Sequence, residues 1–201
     1  MRQITLIDRL LLLATALLAA YQVVVGIEGL GTLALVSYTI GFGVLLIACL
    51  LLLILGFDVL DSPLVVNVSA VIPLSLSLGL VAEYLPEITT FYILFVIFGF
   101  LAVVLTRFLT PGRPAVITLA FVHGISGLLI FLLPIILTLR DETGPGFLLV
   151  SLGGALIGIA GLMLAFLKTG KPILPRDTIL ALLPALLLLM TAAFVAGFGL
   201  V

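Results

Sequence analysis

Seven long apolar runs, separated by breaks of about ten residues or fewer, leave this chain no means of covering itself with a solvated surface. They lie at about 10–25, 32–55, 63–82, 89–106, 114–139, 146–167 and 178–200. A helix needs ~20 mostly apolar residues to cross ~30 Å of hydrocarbon. Seven such segments use most of the 201 residues. Charged residues make up 8% of the chain, against about 25% in a soluble domain. The expected fold is therefore all-α: a polytopic integral membrane protein with seven transmembrane helices in one bundle. Residues 1–201 then form a single transmembrane domain, and the lipid bilayer is its first partner.

The breaks carry turn chemistry. Gly26-Ile27-Glu28-Gly29-Leu30-Gly31 follows the first run, and Leu85-Pro86-Glu87 and Thr110-Pro111-Gly112 follow the third and fourth. Pro63 and Pro114 open the third and fifth runs, where a missing N–H has no helical partner to lose. Pro63 then Pro73, and Pro175 then Pro184, give the third and seventh runs a faint likeness to duplicated hairpins.

Cutting the chain at these runs sorts its charges. Arg2, Arg9, Arg107, Arg113, Lys168, Lys171 and Arg176 fall on one side, and Arg140 alone on the other. Basic residues beside short loops stay cytoplasmic. The expectation is a cell-membrane protein with its N-terminus cytoplasmic and its C-terminus outside. Dropping the polar third run would turn seven-to-one into three-to-five, so the bias also argues that this run spans. The first run follows Arg2 and Arg9 as a signal sequence would. It continues through Val23-Val24-Val25, however, and is expected to remain as an uncleaved span.

Several functions are disfavoured. A net charge of −1 offers no basic surface, so no nucleic-acid partner is expected. One cysteine, Cys49, and one histidine, His123, supply neither a disulfide nor a multi-histidine metal or haem set, and no cofactor or metal is expected. No Asp, Glu, Lys or Arg lies well inside a run, which argues against an ion-driven pump.

The candidate ligand-binding residues are the polar exceptions. Asn67, Ser69 and Ser77 mark the third run, where Ser69, Pro73 and Ser77 share a face at i, i+4 and i+8. His123 sits near mid-depth of the fifth run with Ser126 one turn on. A neutral histidine donating to a carbonyl, and a serine bonding back to its own helix, would satisfy both. Tyr21, Tyr38, Tyr84 and Tyr92 gather towards the acidic side with Glu83 and Glu87. They suggest a rim around an outward cavity among the first four spans, lined at depth by Ser77. In the sixth run Ser151, Gly154, Gly158, Gly161 and Ala165 recur at spacings of three and four. That small-residue stripe would let a neighbouring backbone approach closely.

Gly124-Ile125-Ser126-Gly127 resembles the GxSG of rhomboid proteases, and Ser151-Leu152-Gly153-Gly154-Ala155 resembles their later histidine-bearing helix. Position 151 is serine, so Ser126 has no downstream base. The two segments are also adjacent here, without an intervening span. The resemblance therefore implies no protease. The expected function is a non-catalytic binding or transport module for a neutral or lipophilic small molecule. The alternative is a structural subunit packing on a membrane-protein partner or a second copy through the sixth span, with a membrane enzyme third.

Overall fold

The computed structural model describes residues 2–168 and 174–200, and at positions 63, 64, 66, 165, 166 and 168 the backbone alone. It contains seven long helices: α1 (Leu6–Val25), α2 (Thr32–Leu55), α3 (Pro63–Tyr84), α4 (Thr89–Leu109), α5 (Arg113–Leu139), α6 (Leu148–Lys168) and α7 (Arg176–Phe198). All seven are long and apolar enough to cross a membrane, and the chain is a multi-pass membrane protein. The third run, the most polar, is helical throughout despite Pro73.

α1 starts four residues before the expected position, and local chemistry explains why. Thr5 and Asp8 form a reciprocal cap: the Thr5 hydroxyl accepts from the Asp8 N–H at 3.2 Å, and Asp8 accepts from the Thr5 N–H at 2.8 Å. Two orphan donors of the first turn are satisfied this way. Arg2 folds back to pair with Asp8 at 2.9 Å and donates to the Leu180 carbonyl of α7 at 3.1 Å.

Six helices close a ring in the order α1, α2, α3, α5, α6, α7 and back to α1. α4 stands outside it, packed on α3 and α5. Phe42, Phe147, Phe194 and Phe198 pack together inside the ring with Leu12, Leu76 and Leu80 as one buried apolar core. Phe198 touches the rings of Phe42, Phe147 and Phe194 at 6.2–6.3 Å and that of Tyr38 at 4.5 Å. Glycines admit these rings: a Cβ on Gly79 would stand 2.5 Å from Tyr38, and one on Gly153 would stand 2.6 Å from Phe194. α3 is the most enclosed span and α4 the least, with Phe91, Phe98 and Leu105 turned outward. In a bilayer those side chains meet lipid.

Candidate functional site

One face of α3 carries a polar residue at each end of an apolar stretch. Asn67, Ala70, Leu74 and Ser77 follow one another at spacings of three, four and three, and all four are buried. α4 roofs this face and α5 closes its side. Ala70, Leu74, Val103 and Val122 form a small apolar cluster, with Phe95, Val96, Phe100 and Leu119 packed against it. The cluster is separate from the phenylalanine-filled core of the ring. The α3 face is thus an apolar strip with a polar group at each end.

At one end three hydroxyls meet. Ser77 donates to the Pro73 carbonyl at 2.6 Å, the bond that a serine in an apolar helix makes by default. Its oxygen then accepts from the Tyr92 hydroxyl of α4 at 2.8 Å. Ser126 of α5 lies beside the same tyrosine hydroxyl but outside hydrogen-bond geometry. It is fully buried, and its Oγ has no partner. The bond back to its own helix expected for Ser126 is not made, and Ser77 makes that bond instead.

Two further buried atoms nearby are unpaired: Oδ1 of Asn67, at the other end of the strip, and Nδ1 of His123, one residue beyond Val122. The donation expected from His123 to a backbone carbonyl is likewise absent among the described bonds. Orphaned polar atoms are expensive anywhere in a protein interior, and hydrocarbon supplies no water to satisfy them. Ser69 is half-buried on α3, off the strip.

The tyrosine rim is corrected by the structure. Tyr38 is buried against Gly79 and Phe198, and Tyr92 is buried against Ser77. A ring near a helix end turns inward when a glycine clears room for it or an interior hydroxyl offers a partner. Tyr84 is half-buried with its ring 5.4 Å from that of Phe147, and Tyr21 alone of the four is exposed.

A hollow of about 380 Å³ does open at the acidic end, between Glu28, Leu30, Glu83, Tyr84, Glu142 and Thr143. Glu83 is held there by the Gly31 N–H at 2.9 Å, while Glu87 is exposed and lies outside the lining. Ser77 does not line it, and a hollow of about 400 Å³ at the other end, beside Arg2, Arg9 and Asp58, is no smaller. Neither recess is lined by Ser77 or by any other α3 residue below Glu83, so the expected outward cavity lined at depth by Ser77 is not the one found at the acidic end. Among the described residues no three histidine, cysteine or carboxylate side chains converge as a metal set.

The small-residue stripe of α6 divides in two. A Cβ on Gly154 would stand 2.9 Å from Ile130 and 3.0 Å from the Phe131 backbone nitrogen, so α5 and α6 touch there. Ser151, one turn earlier, is buried with its Oγ unpaired. Gly158 and Gly161, like Gly124 and Gly127 of α5, have nothing within 4 Å of a Cβ built on them. Close packing expected along the whole stripe is thus corrected: among its described glycines only Gly154 makes such a contact. The Ala165 side chain lies outside the described residues. Three other helical glycines with close contacts, Gly79, Gly153 and Gly197, lie outside that periodicity. Their one sequence signal is glycine inside a helix, where it costs stability unless contact requires it.

Comparison with family models, curated proteins and solved structures returned no match for this chain.

Proposed function

We propose that this protein is a non-catalytic binding or transport module for a neutral, lipid-soluble small molecule, recognised by α3 and α5. The observation that carries the reading is the set of unpaired buried atoms, Asn67 Oδ1, His123 Nδ1 and Ser126 Oγ. They lie on α3 and α5, whose membrane-crossing stretches between Leu64 and Leu80 and between Ala115 and Leu139 carry no carboxylate or cation. Such a surface suits a molecule with a long apolar body and a hydroxyl or carbonyl, and it offers nothing to hold an ion. Filled phenylalanine packing in the ring favours uptake from the bilayer over passage through the bundle. The test is native mass spectrometry of the protein released from mild detergent. A retained neutral adduct, lost in Ser126→Ala with Asn67→Leu, is the expected result, and a bare protein mass from several lipid sources would sink the reading.

One observation favours a structural role instead. Gly158 and Gly161 present bare backbone to open space, a surface that fits another helix. A stoichiometric protein partner in the same spectra would favour it. Placement in the cell membrane with a cytoplasmic N-terminus rests on the seven-to-one distribution of basic residues.

A further inference from the structure

We propose that α4 is a lateral gate over the α3–α5 strip, latched by the Tyr92–Ser77 hydrogen bond. A neutral amphiphile would reach Ser126 by displacing α4 sideways into the bilayer. This rests on the binding reading given above and adds the route by which a ligand arrives.

Three independent features place the gate at α4. It is the one span left out of the six-helix ring, and it is the least enclosed. Its own apolar contacts form a separate small cluster, so lifting α4 leaves the phenylalanine core intact. Beneath it lie buried polar atoms without partners: Ser126 Oγ, 0% exposed, and Oδ1 of Asn67, 4% exposed. No other span covers such a strip from outside the ring.

The latch has the right chemistry for reversible opening. Tyr92 donates to Ser77 at 2.8 Å, among the described residues the shorter of two side-chain hydrogen bonds by which α4 holds α3, the other being a 3.4 Å bond from Thr89 to the Val81 carbonyl at the helix end. When it breaks, Ser77 keeps its bond to Pro73, so α3 is not unravelled by the opening. The freed tyrosine hydroxyl and Ser126 then offer a donor and an acceptor to an incoming hydroxyl or carbonyl. The apolar run of Ala70, Leu74 and Val122 receives the alkyl body. Where α4 meets α5, Gly99 faces Val122, and a Cβ built there would stand 3.3–3.4 Å from the valine methyls.

The test uses the full chain in lipid nanodiscs with a long-chain alkanol bearing a diazirine. After irradiation, adducts are mapped by mass spectrometry. In the parent protein adducts should fall mainly on lipid-facing Phe91 and Phe98, with a minor fraction on the strip from Ala70 to Ser77. Tyr92→Phe and Ser77→Ala should each raise the strip-to-Phe98 ratio about fivefold, the ratio that ~1 kcal/mol represents. Phe194, buried in the ring, serves as the control and should stay unlabelled. Strip labelling unchanged in both variants would overturn the gate, as would an equal rise at Phe194, which would report general loosening. A retained adduct in native spectra with unchanged photolabelling would remove the gate alone. Latch-dependent labelling without a retained ligand would count against the binding reading.

Discussion

At the scale of the residue, the glycines decide what this bundle tolerates. Gly79 and Gly154 face a tyrosine ring and a backbone nitrogen respectively, whereas Gly158 faces open space. Adding a methyl at Gly79 or Gly154 should cost ~1–3 kcal/mol, because neither neighbour can withdraw freely. At Gly158 the same change should stay within about 0.5 kcal/mol. Thermal unfolding in detergent separates the three. Tyr38→Leu should recover part of the loss in Gly79→Ala by removing the ring that the new methyl strikes. Equal losses at Gly154 and Gly158 would mean that close packing continues along the stripe past Gly154. Sequence periodicity located the stripe of α6 but not the point where its contact ends. Spacing reports which residues share a face, whereas contact depends on the crossing of two axes, which a single helix's sequence does not encode.

At the scale of the element, apolar run length placed the helix interiors well and their ends less well. α1 begins at Leu6 because Thr5 and Asp8 cap it, and a hydropathy run starting at Leu10 passes over that chemistry. Asp8 is 2% exposed and satisfies its own helix and Arg2 together. Asp8→Ala should therefore remove the cap and leave Arg2 without its carboxylate. The expected cost is ~1–2 kcal/mol, as for loss of a strong cap. Arg9→Ala, in the same turn but exposed, should cost little. Melting curves for the two variants measured together check this, and equal losses would deny the cap its role. The polar residues of α3 were legible as a group, but their sorting was not. Ser77 and Asn67 face α4 and α5 while Tyr38 meets Gly79 on another side of the same helix, and only the partners' positions reveal it.

At the scale of the whole molecule, the seven-helix architecture was readable from seven apolar runs in a chain with 8% charged residues. The order of helices around the ring and the outlying position of α4 were not, since hydropathy reports how apolar a span is and not which spans it packs against. Orientation remains a sequence-derived expectation with a direct check. In a Cys49→Ser background, Arg113→Cys should resist an impermeant thiol reagent in intact cells while Glu87→Cys labels. The two positions are exposed at opposite ends of the bundle. The reverse pattern would invert the protein, and equal labelling would remove the topology.

The absence of carboxylates and cations from α4 between Thr89 and Thr106 carries a consequence for energetics across the membrane. Each elementary charge carried through a 100 mV potential involves ~2.3 kcal/mol of electrical work. A helix whose membrane-crossing stretch moves sideways with no such charge does almost none. The position of α4 should then be indifferent to voltage, set by lipid packing and by the hydrogen bonds of Thr89 and Tyr92 to α3. Photolabelling of the α3 strip in polarised and depolarised vesicles should give the same yield, and a voltage-dependent yield would mean that charge moves with the helix after all.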